Sequence, residues 1–403
     1  MHATHERQSG GAPAPHVPAP PQLALAEVMA ALGRARPLCR IYARSCSHHV
    51  SQIYAGFDAL CQAGQIRVTQ HFGREALRRR LGAGPVDEGA LSTATNGVLV
   101  DVDGAGLVFF DVRDGANFYS DIAERVLIYA KRSFRRSAYA ARPERFVPLG
   151  LNYSVCLERT TLHELRRVFA QLDGSRRAAI QLAFALARTL PGLGPAAGAP
   201  TLGAFGQGMD PGAPPRAIFL ARAWAPGETS EPPERLEHLN DLRANCVRVL
   251  RKRFGRHFLG GLSPSPYARE RYPDCIVDPR TSTRRRDYLE CLRSYSICVA
   301  TTGLHESIGW KFGEYVALSK AIVSEPLRFE LPGAIAAGEN YLEFETAEAC
   351  AERVGELFDD HGRRRAMMER NARYHLEYGT PQAMVGRVLH AALARRRGAA
   401  DVS

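Results

Sequence analysis

Residues 296–326 read SICVATTGLHESIGWKFGEYVALSKAIVSEP, and this stretch decides the fold. An apolar run, Ile297 to Ala300, ends in two threonines and a glycine; a helix is expected from Trp310, and a second apolar run begins at Ala321. Strand, glycine-bearing loop, helix and strand form the unit of a parallel sheet, because parallel neighbours need a long crossover connection.

The same alternation extends in both directions. RAIFLARAW (216–224) reads as a strand, and Leu239, Leu242, Cys246, Val249 and Leu250 mark a long amphipathic helix. HFLGGLS (257–263), CIVDP (275–279), a helix around YLECLRS (288–294), NYLEFET (340–346) and a charged helix from Ala347 to Asp360 complete the second half. In the first half, IYARSC (41–46) and IRVTQHF (66–72) flank a helix carrying Val50, Ile53, Tyr54, Phe57 and Leu60 at helical spacing. GVLVDVD (97–103), LVFFDVRD (107–114), a helical NFYSDIAE (117–124), RVLIYAKRSF (125–134) and RFVPLGLNY (145–153) follow, predicting a mostly parallel sheet. Leu157 to about Leu190 reads as helical, and the Gly/Pro-rich run 191–215 as a linker. The expected organisation is a largely disordered tail that ends in a short helix and stays outside the fold (1–36), a first domain (37–150), a helical and linker segment (151–215), a second domain (216–380) and a terminal helix with a basic tail (381–403). No internal repeat of solenoid period is present.

Composition bounds the partners. A length of 403 residues suits two domains and hence a cleft. The net charge of +11 favours polyanions such as nucleotides or phospholipid head groups, although the arginines are dispersed rather than gathered into one tail. Arg284–Arg286, Arg363–Arg365 and Arg395–Arg397 read as solvated faces, and specific nucleic-acid recognition is not expected. Nine cysteines, none spaced as CxxC, argue against disulfides and structural zinc. Neither a membrane-spanning run nor a signal-peptide core is visible, so a cytoplasmic location is expected, with peripheral membrane contact left open.

Ligands of open α/β sheets bind beyond the carboxyl ends of the strands. Thr301 to Gly309 is such a loop, with glycines that let backbone amides approach an anion and a helix N-terminus behind it. Glu306 and Glu314 accompany it, and a carboxylate can accept both hydroxyls of a ribose. By spacing alone, a glutamate on a solvated helix face is the commoner meaning. No GxxxxGK, GxGxxG after a strand, HExxH or DxD is present, so no cofactor or catalytic metal is expected. Trp224, Trp310 and Tyr315 read as packing residues.

TTGLHESIGWKFGEYVALSKAIVSEPLRFELPG (301–333), with NYLEFETAEACAERVGELF (340–358), resembles the donor-binding domain of GT-B glycosyltransferases, especially bacterial glycosyl-transferase-like families. The resemblance covers nearly the whole C-terminal half and implies an α/β fold of two Rossmann-like domains facing a cleft. It implies transfer of a sugar from a nucleotide-sugar donor to a glycan, lipid or other small-molecule acceptor. In those families a glutamate, seven residues and a second glutamate hold the donor, a spacing Glu306 and Glu314 match and one that leans toward retention of configuration. By the same resemblance, Gly303, Leu304, His305 and Ser307 would hold the diphosphate or sugar hydroxyls. Arg222 would sit against the diphosphate, its fork bonding two phosphate oxygens. The lysine expected shortly after that arginine is missing from AWAPGETSE, which leaves Lys311 or Arg328 to replace it. Acceptor-side loops would be Ser45–His49, where His48 or His49 could serve as base, and Asp111–Asn117, where Asp111 or Asp114 could do so in an inverting enzyme. Histidines at a helix start are as often capping residues, and Asp-Gly is a common turn. The terminal helix, Gln382 to Arg396, would cross back onto the first domain. The alternative is a GT-B-fold protein without turnover that binds nucleotide, sugar or a partner enzyme.

Overall fold

A computed structural model describes residues 23–43, 47–81, 97–141, 143–170, 176–187, 189, 200–206, 214–279, 281 and 285–400. The first sheet contains β1 (Leu38–Ala43), β2 (Arg67–Phe72), β3 (Gly97–Val102), β4 (Gly106–Asp111), β5 (Ile128–Lys131) and β6 (Phe146–Pro148), in the order β2-β1-β3-β4-β5-β6. Parallel pairing joins β1 to β2 and β4 through β6, whereas β3 runs antiparallel to both its neighbours. The reversal has a local cause. Only residues 103–105 connect β3 to β4, with Gly104 at φ 75°, and so short a connection permits a hairpin but no crossover.

The second sheet contains β7 (Ala217–Ala221), β8 (Phe258–Leu262), β9 (Ile297–Ala300), β10 (Ala321–Ser324) and β11 (Leu342–Glu343), in the order β11-β10-β9-β7-β8, parallel throughout. CIVDP contributes a single parallel bridge, Ile276 to Leu262, beyond β8. With that bridge counted as the third strand, this is the Rossmann order, and it reverses between β7 and β9. Every residue of β7, β9 and β10 is buried, as strands covered on both faces require. Two Rossmann-like α/β domains facing a cleft form the GT-B architecture.

The ends of the chain lock the first domain. The segment expected as disordered tail includes a helix, Leu25–Ala35, whose Val28 and Leu32 join the first domain's core. That core also takes Met384, Val385, Val388, Leu389 and Ala392 from the terminal helix Pro381–Ala400, which lies on the helix Ser51–Gln62. Contact there is close: a Cβ on Gly56 would fall 2.3 Å from the Pro381 carbonyl oxygen. The chain returns from the second domain through a π-helical turn, His375–Gly379, and the Gly379 carbonyl accepts from Gln52 Nε2 (3.0 Å) and Tyr153 Oη (3.1 Å). The connecting segment is partly built into the second domain: Leu151, Tyr153, Val155 and Phe205 share its core. The helix Leu162–Phe169 is fastened to the first domain by Arg167, 2.7 Å from the buried Asp58. Residues 191–199 and 207–213 of the expected linker lie outside the described residues. Among those described, no helix is long and apolar enough to cross a membrane.

Candidate active site

The carboxyl ends of β7, β9 and β10 meet at the strand reversal. Arg222 leaves β7 with its guanidinium 3.9 Å over the Trp224 ring and 3.3 Å from Glu228, half exposed. On the other side of the reversal, Thr301–Ser307 leaves β9. Arg243, buried on the helix Pro233–Phe254, ties the two together: it donates to the Arg222 carbonyl (2.6 Å), Thr301 Oγ1 (3.0 Å) and the Thr302 carbonyl (2.9 Å). These acceptors are neutral, and burial lowers the Arg243 pKa to about 10. From the end of β10, Glu325 accepts from Thr302 N (2.7 Å) and Oγ1 (3.1 Å).

Sequence reading missed Arg243 and Glu325, yet both left a signal. Arg243 occupies an apolar register four residues after Leu239, and Glu325 directly follows a wholly buried strand.

The loop after β9 is tightly wound. His305 (φ 55°) and Glu306 (φ 57°) are both left-handed, a conformation that costs a non-glycine residue about 1–2 kcal/mol. A Cβ on Gly303 would lie 2.7 Å from Ser307 Oγ, so the turn has no space for a side chain there. Four of its amides, expected to face a diphosphate, already have acceptors. Glu325 takes Thr302 N, the Ser307 carbonyl takes Gly303 N, Glu231 takes His305 N, and the Leu304 carbonyl takes Ser307 N. Glu231 also lies 3.2 Å from His305 Nδ1 and 3.4 Å from Arg235. Glu306 spans the cleft, with one carboxylate oxygen 3.3 Å from Arg135 of the first domain and the other 3.5 Å from Arg235 of the second.

The opposite wall comes from the first domain. His48 and His49 lie in a short turn capped by Ser47, stacked at 4.4 Å, and both meet Trp310 edge-on at 5.2 and 4.9 Å. Trp310, expected as a packing residue, thus joins the two walls. Burial, then the neighbouring His48 and Arg132, lower the His49 pKa, which keeps its imidazole neutral and able to accept a proton. Gly115 approaches the His305 side chain closely: a Cβ there would lie 3.5 Å from His305 Cβ. Arg132 reaches across from Asp114 (2.7 Å) to the Ile308 carbonyl (2.6 Å). Ser45 lies outside the described residues.

Two expected site residues are not in the cleft. Asp111, expected as a possible base, is fully buried, 2.8 Å from Arg113, 3.2 Å from Lys131 and 2.6 Å from the Tyr129 hydroxyl. Burial alone would raise its pKa, but Lys131 and Arg113 outweigh that and hold it below the usual carboxylate range. It anchors the end of β4 and is not available as a base. Glu314, expected at the ribose, is also fully buried, because the helix Trp310–Ala317 is enclosed on every side from Phe312 onward. Burial raises the pKa of the neighbouring Tyr153 hydroxyl, and the Glu314 charge raises it further. Lys311 donates to the Leu220 carbonyl of β7 and lies 5.1 Å over Tyr288; Arg328 is exposed.

No family model matches the sequence, and no curated protein matches it. Among solved structures, the chain matches the C-terminal domain of a glycosyl transferase group 1 family protein from Francisella tularensis at 13% identity and TM-score 0.29, covering 41% of this chain and 86% of that one. It matches TarM at 12% identity and TM-score 0.33, covering 46% of this chain and 37% of TarM. A UDP-GlcNAc 2-epimerase from Neisseria meningitidis, solved bound to UDP-GlcNAc, matches at 11% identity and TM-score 0.37, covering 92% of this chain and 81% of that one.

Proposed function

We propose that the protein transfers a glycosyl group from a nucleotide-sugar held at the β7/β9 reversal to an acceptor hydroxyl entering beside His48 and His49. One observation carries this reading. Arg222 and the Thr301–Ser307 loop leave β7 and β9 on opposite sides of the strand reversal, and Trp310, which opens the helix after that loop, meets His48 and His49 of the first domain edge-on. In the proposed reaction, His49 accepts the acceptor's proton as its oxygen bonds to the anomeric carbon. The bond from that carbon to the diphosphate breaks, and Arg222 carries the charge that develops on the leaving oxygen. The Trp310 face packs the sugar ring, and Glu306 accepts its hydroxyls. Arg132 and Arg135 hold the domains together over the reactants, which excludes water.

Binding without turnover is the second reading, supported by the burial of Asp111 and Glu314 away from the cleft. Mass spectrometry of nucleotide-sugars incubated with the protein and mixed acceptors separates the two. Transfer predicts that one donor loses its sugar while its nucleotide accumulates, and that His49→Ala slows this about 10²-fold or more. A donor that binds and stays intact would leave the non-catalytic reading.

A further inference from the structure

We infer that Arg135 and Arg235 form an anion subsite bridging the two domains, held by the Glu306 carboxylate until a phosphoryl group of the ligand displaces it. The basic segment after β5 divides its partners between the domains. Lys131 (3.2 Å from Asp111) and Arg132 (2.7 Å from Asp114) form their ion pairs within the first domain, Arg132 also donating to the Ile308 carbonyl, whereas Arg135 and Arg136 form theirs with Glu306 (3.3 Å) and Glu330 (3.4 Å) of the second. Arg235 approaches Glu306 from the other side, so one carboxylate offers one oxygen to each guanidinium. Two arginine forks converging on one small anion are the arrangement a phosphoryl group takes.

The present occupant is poorly secured. Side-chain exposure is 38% for Arg135, 38% for Glu306 and 46% for Arg235, and ion pairs so open to water contribute little. Arg135 is independently positioned over the Phe329 ring, at 5.0 Å. A phosphoryl group, bearing more charge and more acceptor oxygens than a carboxylate, takes the two forks and frees Glu306 to turn toward sugar hydroxyls. The diphosphate of a donor and the phosphate of a phosphorylated acceptor share this chemistry. The inference rests on the transferase reading for which molecule carries the phosphoryl group, but not for the subsite itself.

Calorimetric titration of the full chain with inorganic pyrophosphate provides the test. Glu306→Gln, and separately Glu306→Ala, should tighten pyrophosphate binding about fivefold, the scale of an exposed ion pair removed from competition. Adding Arg135→Gln should erase the gain. The inference is overturned if pyrophosphate binds no tighter to either Glu306 variant than to wild type, or if the gain survives Arg135→Gln. Glycerol phosphate, titrated with a nucleoside diphosphate already saturating, distinguishes the sources. A retained gain assigns the subsite to an acceptor's phosphate, and a lost gain assigns it to the donor. Should no nucleotide bind while the pyrophosphate gain appears, the transferase reading fails and the subsite stands. Selective nucleotide binding with no pyrophosphate gain removes the subsite and leaves the transferase reading in place.

Discussion

Replacing Arg243 with Met is expected to weaken nucleoside diphosphate binding about 100-fold while leaving the protein folded. Arg243 hydrogen-bonds the ends of both β7 and β9, and Arg222 and the Thr301–Ser307 loop start from those ends. Misplacing such elements by about 1 Å costs on the order of 10²-fold in function. Two large effects on stability oppose each other. Three hydrogen bonds from a charged donor contribute about 1.5–3 kcal/mol each. Burying the guanidinium among neutral acceptors lowers its pKa from 12.5 to about 10, a penalty of about 3 kcal/mol that Met removes. The net loss should be about 1.5–6 kcal/mol, with Arg243→Lys intermediate in binding. Calorimetric titration beside urea unfolding checks this. A folded variant that binds nucleotide as wild type does would show that Arg243 does not position the crevice.

Asp111→Ala has the opposite signature, with a large loss of stability of about 3–5 kcal/mol, because it leaves Lys131 and Arg113 without the carboxylate between them. The pH dependence has a defined sign. Since the folded-state pKa of Asp111 is depressed, its contribution is present above the unfolded carboxylate value of about 3.9 and is lost as pH falls below that. The gap in unfolding free energy between wild type and Asp111→Asn should therefore be wide at pH 7 and shrink progressively as pH falls below about 3.9. Were Asp111 a catalytic base, the Asn variant would lose turnover at unchanged stability.

The second domain was legible because parallel strands buried on both faces appear as unbroken apolar runs, as in AIFLA, ICVA and AIVS. The first domain was less so. GVLVDV and GLVFFD look like parallel strands by composition, and only the shortness of the DGA turn between them makes β3 antiparallel. The short helix of the tail was left outside the fold because Leu25–Ala35 buries just Val28 and Leu32, and its partner, the terminal helix, lies some 350 residues away, which no local pattern reports. The loop Thr301–Ser307 was singled out by the rule that ligands bind at strand carboxyl ends, and Arg222 only through the resemblance to GT-B donor domains. Their supports, Arg243, Glu231 and Glu325, were not: the apolar register of Arg243 and the place of Glu325 after a buried strand mark burial, but nothing in the sequence marks which backbone groups they hold. The same ambiguity misled for Glu314, whose spacing from Glu306 matched a binding pattern while its helix became enclosed.

The most direct measurement is a thermal-shift comparison of UDP, GDP, ADP, TDP and CMP on wild type and Arg222→Ala. A ligand at about 100 times its dissociation constant adds roughly 2.7 kcal/mol, well above detection. Selective stabilisation by one nucleotide, lost in Arg222→Ala, is the result expected of a donor site at the β7/β9 reversal. Absence of a shift with any nucleotide, or a shift that Arg222→Ala leaves intact, would contradict it.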